Sequence, residues 1–549
     1  MELQAAQGVP DLYPYSARQC RHIFNTKEGS NSMKEISHIC IVGGGSSGWM
    51  TALALLNKLD DSIQVSLIES SNIPTIGVGE ATVPPVAEFI KEVLELKEED
   101  WMSECDATFK TSIRFNKFND GKEDDIVYHP FFKEGEKTID AVHWSIKNTV
   151  NYTKDFDRNY IASTMGERNK FSKQGGKIRY AYNLDASKFG QVCKNKCLEE
   201  FTNITNIIGN VSEIVRDSKG AITHIEYDDS ERIAADLFID CTGLKYLMSE
   251  GAEFVDFSEY LVNNKALAVQ VPSEYKKKKE IPMFTDCTAT KDGWVWRVPL
   301  WSRDGVGFVY STKFTSDRQA KENLEEYINE LYDVPKGSLS FKYVDYKKVR
   351  YLMYPWEKNR LSIGMSASFL EPLESTALWI TTDQIRGLIG MLRNSNMKPG
   401  RAIRSMYNDR FRSQLEDTLS FVQLHYSSGN RSDSKYWSHL SNMDLCPGLL
   451  RRLKDAYSNN WQFFDREEYY HAQSWETLIL SLEAIPTTGL SELTYRGTPF
   501  IELSEDDSNH IKEVAYTVEE AVRELRQEKE LEVEGFLNHY DYLKLHIHA

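Results

Sequence analysis

Apolar positions are irregular from Met1 to Ser32, and the first periodic signal begins at Glu35. Ile36, Ile39, Ile41 and Val42 form a short apolar run that predicts a buried strand. Gly43-Gly44-Gly45-Ser46-Ser47-Gly48 interrupts it, and Trp49 to Leu56 then predicts a buried helix. A second apolar run, Ile63 to Ile68, predicts another strand and ends in Glu69. Strand, glycine turn, helix, strand and acid in this order predict a dinucleotide-binding βαβ unit. Gly43 permits the tight turn, Gly45 lets the backbone approach a pyrophosphate, and Gly48 lets the helix pack on the sheet. The helix start offers free amides to phosphates. Glu69, at about the 20-residue spacing of the motif, can hold a ribose hydroxyl.

Further along, Thr223–Tyr227 and Ala235–Asp240 predict strands, the latter running into the small-residue turn Cys241-Thr242-Gly243. A second dinucleotide contact at such a turn favours FAD over NAD. Trp294 and Trp296 are two residues apart, so on a strand they share a face. Ser375-Thr376-Ala377 predicts the opening of a helix that continues through Ile380. Beyond Arg401 the pattern is helical, aromatic and charged, and Val518, Ala521, Val522 and Leu525 give a packing stripe on an amphipathic helix. The resulting organisation is an extension at 1–34, set off by a second methionine at Met33, a dinucleotide-binding core at 35–400 with inserted pocket segments, and a mainly helical module at 401–549.

Composition narrows the function. Hydrophobic residues are 41% and charged residues 27%, which is globular rather than disordered, and the formal charge of −17 argues against nucleic acid. The basic run Lys276 to Lys279 is flanked by Glu274 and Glu280 and reads as a solvated loop. No stretch approaches the ~18 apolar residues of a membrane span, and the N-terminus lacks a basic-then-apolar signal. The eight cysteines are scattered, with Cys193 and Cys197 a lone CxxxC, so neither a metal site nor a disulfide framework is predicted. A reduced, cytoplasmic location follows.

Four separated motifs then carry a family resemblance. Ile41-Val42-Gly43-Gly44-Gly45-Ser46-Ser47-Gly48-Trp49-Met50, Ile73-Pro74-Thr75-Ile76-Gly77-Val78-Gly79-Glu80-Ala81-Thr82-Val83-Pro84, Gly293-Trp294-Val295-Trp296-Arg297-Val298-Pro299 and Phe369-Leu370-Glu371-Pro372-Leu373-Glu374-Ser375-Thr376 occur in this order. Together they resemble the flavin-dependent tryptophan halogenases, from about Lys34 to about Pro486. The third differs from the family's WxWxIP in having Val298 for isoleucine.

The resemblance implies an α/β fold with a Rossmann-type (GR2-like) FAD core and a largely helical substrate-covering module. It implies FADH2 from a separate flavin reductase, with oxygen and halide giving hypohalous acid that travels to a lysine beside a small aromatic substrate. The matching lysine is Lys110 and the matching glutamate Glu374. Gly43, Gly45, Ser46, Ser47, Gly48, Glu69, Gly79 and Gly364 match cofactor-binding positions, and Thr376 and Ala377 match halide contacts. His129, Phe131 and Tyr470 match the substrate pocket, while Trp294 and Trp296 match the partition between flavin and substrate. A homo-oligomer is left open.

The residues fit those roles chemically. A lysine desolvated among apolar walls has its pKa drawn toward neutrality, and can hydrogen-bond hypohalous acid or carry halogen as a haloamine. A nearby carboxylate stabilises a cationic ring and accepts its proton. Without the resemblance, Lys110 reads as a surface lysine and Glu374 as a solvated or helix-capping acid. Two departures bear on specificity. Many members have glycine where this chain has Ala377, so bromide and iodide stand beside chloride. Ser458, Asn459 and Asp465 fall where the family has two tyrosines and a glutamate holding the charged end of tryptophan, which predicts another electron-rich aromatic, indole- or phenol-like. An FAD-dependent aromatic hydroxylase of the same fold is the alternative reading.

Overall fold

The computed structural model describes residues 35–548, apart from 72–76, 149–151, 175–176, 229, 336, 429–430, 458–468, 485–493, 496–497 and 500–504. The N-terminal extension, part of the second motif (Ile73 to Ile76) and the pocket positions Ser458, Asn459 and Asp465 lie outside the described residues.

The predicted βαβ unit forms the centre of a six-stranded sheet. Its order is Trp356–Glu357, Arg360–Ser362, Leu237–Asp240, His38–Val42, Gln64–Glu69, Ile204–Ile208. All pairings are parallel except that of the Trp356–Glu357 edge. Strands covered on both faces carry continuous rather than alternating apolar runs, which is why His-Ile-Cys-Ile-Val is almost wholly buried. The Ser46–Lys58 helix follows the glycine turn and buries every residue from Gly48 to Leu56.

A second sheet has seven strands, in the order Lys342–Asp345, Lys265–Pro272, Arg303–Tyr310, Gly293–Pro299, Phe284–Thr290, Ser112–Asn116, Ile126–Pro130. Alternation gives its strands two characters. Asp286 lies opposite both Arg114 and Arg297 in register. It accepts a bidentate pair from Arg114 (2.9 and 2.8 Å), a bond from Arg297 (2.7 Å) and one from Asn116 (2.6 Å). Its neighbour Cys287 points to the other face, opposite Trp296. A small three-stranded sheet, Glu80–Ala81, Ala181–Leu184 and Thr108–Lys110, carries Lys110.

After Gly400 the described chain is mainly helical: Arg401–Ser427, Lys435–Leu440, Pro447–Tyr457, Ala472–Ser481, Glu505–Glu534 and His539–His546. These helices share one apolar core with the first half, running from Ile36 to Leu543. The 505–534 helix presents Ile511, Ala515, Val518 and Val522 inward. Val518 and Val522 pack with Phe132, Trp144, Phe156 and Tyr160. Ala521 of the expected stripe is exposed instead, because the buried face follows the i, i+4, i+7 line from Ile511. The chain then returns to the first half. Leu537–Asn538 pairs with Lys170–Phe171, and His539 Nδ1 meets the Ile281 carbonyl at 2.8 Å. Phe109 stacks on Phe171 at 4.5 Å and takes the edge of Tyr542 at 5.7 Å. Trp301 stacks with both Tyr540 and His548, and His548 Nε2 meets the Ala107 carbonyl at 2.9 Å.

The seven described cysteines are buried free thiols, and no group of described residues could hold a metal ion. No described helix is long and apolar enough to cross a membrane.

Removing Asp286 strands two guanidinium groups in the sheet. Asp286→Ala is expected to lower unfolding free energy by about 3–5 kcal/mol, read by denaturant titration. Burial pushes this carboxyl up, but Arg114 and Arg297 outweigh it and hold it at about 2. Its stabilisation is therefore present above about pH 4 and lost as pH falls toward about 2, and the variant should lack that dependence.

Candidate active site

The glycine turn is shaped by close approaches. Gly43 has φ +114°, and a Cβ there would lie 2.3 Å from the Cys241 carbonyl oxygen. A Cβ on Gly48 would lie 1.8 Å from the Gly43 carbonyl oxygen, so only glycine lets the helix start this close to the turn. Gly45 has nothing within 4 Å of where a Cβ would be, and as N-cap it leaves the helix amides without a side-chain cap. The turn thus presents free donors to open space, and a dinucleotide phosphate fits it. Gly364, with φ +72°, lies against Ser47, while the Ser46 hydroxyl turns away to the Ala186 carbonyl at 2.8 Å.

Glu69 stands at the end of the second strand as expected. It accepts from Trp49 Nε1 (3.2 Å), Lys194 (2.5 Å) and Asn206 (3.0 Å), leaving one of about four lone-pair positions for a ribose hydroxyl. Lys194 and Asn206 come from a helix and a strand distant in sequence. Gly44 also escaped the sequence reading, although its missing Cβ would sit 2.1 Å from Glu69 Oε2. Gly79, with φ +134°, crosses Gly305 of the large sheet, and the Arg303 guanidinium holds the Val78 carbonyl at 2.8 Å.

The chemical centre lies on three successive residues, Leu373, Glu374 and Ser375. A single 3₁₀ turn, Pro372–Glu374, ends at Ser375 in the left-handed region (φ +58°), and the Ala377–Asn394 helix begins just beyond. Lys110 is fully buried and donates to Ser375 Oγ at 2.9 Å, with Phe131's ring centroid 5.5 Å from its Nζ. Burial lowers the ammonium's pKa to about 7, against the opposing pull of Cys287 and Glu374. Glu374 is 1% exposed and sits between two imidazoles. His129 Nδ1 bonds its Oε2 at 2.8 Å, and His425 Nε2 lies 2.7 Å from its Oε1, off the line of a hydrogen bond. Burial raises this carboxyl, yet the two imidazoles outweigh it and hold it near 2, so it is an anion. His129 is fixed at its other nitrogen by Ser474 at 3.0 Å, and His425 Nδ1 by the Phe421 carbonyl at 3.0 Å.

Tyr470 stacks on Phe421 at 3.8 Å, and Phe421 lies 5.4 Å from His129. Thr376 is buried, whereas Ala377 is exposed. One turn on, Thr381 lies 3.4 Å from where Gly364 would carry a Cβ, so this helix start adjoins the glycine turn. Trp294 is fully buried; Trp296 is half-buried, covers Gly307, and packs with Ala81 of the second motif. His425, Ser474, Ser375 and Cys287 were missed by sequence reading. The one available signal was His425 four residues after Phe421, an i, i+4 pair on a helix.

Residues 38–494 match the tryptophan halogenase family. A tryptophan 7-halogenase of Kutzneria is 30% identical, over 76% of this chain and 81% of its own. A tryptophan 6-halogenase of Streptomyces toxytricini is 29% identical, over 81% of this chain and 89% of its own. A solved flavin-dependent halogenase of Xanthomonas campestris superposes with TM-score 0.79 at 27% identity, covering 94% of this chain and 99% of its own. With the dinucleotide turn, the buried lysine and the imidazole-bound glutamate on one scaffold, the chain belongs to the tryptophan halogenase family, whose members are flavin-dependent enzymes that halogenate aromatic substrates.

Proposed function

We propose that this enzyme takes FAD as FADH2 from a separate reductase and places halogen on an electron-rich, indole- or phenol-like aromatic held beside Lys110. The observation that carries this reading is the buried Lys110 amine, 2.9 Å from Ser375 Oγ and within the electrostatic reach of the Glu374 anion. The glycine turn with Ser47, Gly364 and Glu69 would hold FAD, and the bound reduced cofactor with oxygen and halide supplies hypohalous acid. Thr376 and the amides at the start of the Ala377–Asn394 helix offer the halide contacts.

Lys110 receives the hypohalous acid. As free amine it accepts a hydrogen bond or halogen, and as ammonium it protonates the leaving hydroxide. Phe131 supports an aromatic ring by stacking, worth about 0.5–1.5 kcal/mol beyond burial. Glu374, kept ionised by His129 and His425, stabilises the cationic ring and takes its proton. Trp296, between the Gly79 crossing and Cys287, separates the cofactor side from the ring, so that halogen rather than oxygen is delivered.

The central test supplies the enzyme with an unrelated flavin reductase, NADH, chloride, bromide or iodide separately, and a mixed aromatic library. Mass spectrometry should show halogenated products, with isotope doublets for chloride and bromide; oxygenated products independent of halide would refute the reading. Lys110→Ala should lose halogenation by about a thousandfold or more, and Glu374→Gln by roughly 10²–10⁴-fold. Wild-type kcat should titrate near pH 7 with Lys110. Because Glu374 raises the Lys110 pKa, the residual activity of Glu374→Gln should titrate at lower pH. Gly48→Val places side-chain atoms on the Gly43 carbonyl and should weaken FAD binding about tenfold or more, read by flavin fluorescence.

A further inference from the structure

We propose that Cys287 is an internal oxidation site that consumes hypohalous acid when no aromatic is present at Lys110, switching the enzyme off reversibly. This rests on the function proposed above. The thiol belongs to a cluster rather than standing alone. Cys287 Sγ donates to the Leu373 carbonyl at 3.7 Å, the next residue carries the carboxylate bound by His129 and His425, and the residue after that holds Lys110. Thiol, anion and amine are thus seated on three consecutive positions of one turn. Cys287 also lies directly opposite Trp296 across the strand pair, so the two share the face turned toward this turn.

Burial makes the exposure to oxidant selective. Cys287 is 1% exposed, which shields it from reagents in bulk solvent but not from an oxidant delivered to Lys110. Sulfur is a better nucleophile than nitrogen toward electrophilic halogen. Attack by the thiol on hypohalous acid forms an S–X bond, breaks the O–X bond and releases water. Sulfur loses two electrons and the halogen gains them. Water then displaces halide to leave a sulfenic acid and HX, or the Lys110 amine displaces it to leave an S–N bond and HX. Thiol reductants reverse the sulfenic acid, and they cleave the S–N bond likewise. Burial, with Asp286 and Glu374 adding to it, raises the thiol well above its ordinary range, so it stays protonated and slow. An aromatic held against Phe131 at Lys110 intercepts the halogen where it is delivered, and the thiol acts when the pocket is empty.

The experiment runs the full enzyme with reductase, NADH, oxygen and bromide, with and without an aromatic that it halogenates, followed by peptide mapping. Without the aromatic, Cys287 should gain an oxygen, or its peptide should be joined to the Lys110 peptide with loss of two hydrogens. Activity should fall in step and return with dithiothreitol, while Cys105 and Cys446 stay reduced. Cys287→Ser should retain its own starting activity about fivefold longer in the substrate-free incubation. Should product form with the aromatic while Cys287 remains reduced as activity decays, or should Cys287→Ser decay at the wild-type rate, the proposal is overturned. Absence of halogenated product with every aromatic would instead remove the functional reading, and this proposal with it.

Discussion

An ammonium ion taken out of water loses several kcal/mol of hydration unless neighbours replace it. Lys110 is wholly buried, and the hydroxyl of Ser375 gives it one hydrogen bond. The remaining compensation is electrostatic, from Cys287 and the carboxylate of Glu374, with the Phe131 ring 5.5 Å from the amine. That anion is equally far from water and depends in turn on His129 and His425. The amine, the anion and the two rings therefore stand or fall together. The backbone makes this possible through Ser375, whose left-handed conformation turns the chain so that a carboxylate and a hydroxyl face the same lysine.

The groups come from four places in the fold. Lys110 ends a strand of the small sheet, His129 lies on the edge strand of the large one, Glu374 precedes a helix and His425 lies deep in another. Rigid elements hold their side chains more tightly than loops do. The Asp286 ion cluster on the opposite face of the large sheet fixes the strands through cross-strand pairs, and so fixes Cys287 and Trp296 on the near face. A polar lock on one side of a sheet thus sets the geometry of the candidate site on the other.

Much of the cofactor half was legible in the chain itself. The glycine spacing, the acid after the second strand and the apolar runs are local signals, and local signals survive in a linear sequence. Lys110 and Glu374 needed the family resemblance, since neither residue advertises its burial. His425, Ser474 and Lys194 were not legible, because each acquires its role from a partner far away along the chain. Ala521 shows a smaller failure of the same kind: its spacing suits an apolar stripe, but tertiary packing chose the line through Ile511 and Ala515. Ala377 is the converse, a residue flagged by comparison whose side chain faces outward while its neighbour Thr376 is buried.

The contact between Phe109, Phe171 and Tyr542 has a bearing on biogenesis. A nascent polypeptide leaves the ribosome from its N-terminal end, and domains generally begin to fold in that order. The strand bearing Lys110 can stack Phe109 on Phe171 early, but it gains the Tyr542 edge and the His548 contact to Ala107 only once residues 539–548 have been synthesised. The strand–turn–helix–strand unit of the first sheet can form early, whereas the surroundings of Lys110 are completed last. A truncated or stalled product would then carry the glycine turn without the finished surroundings of Lys110.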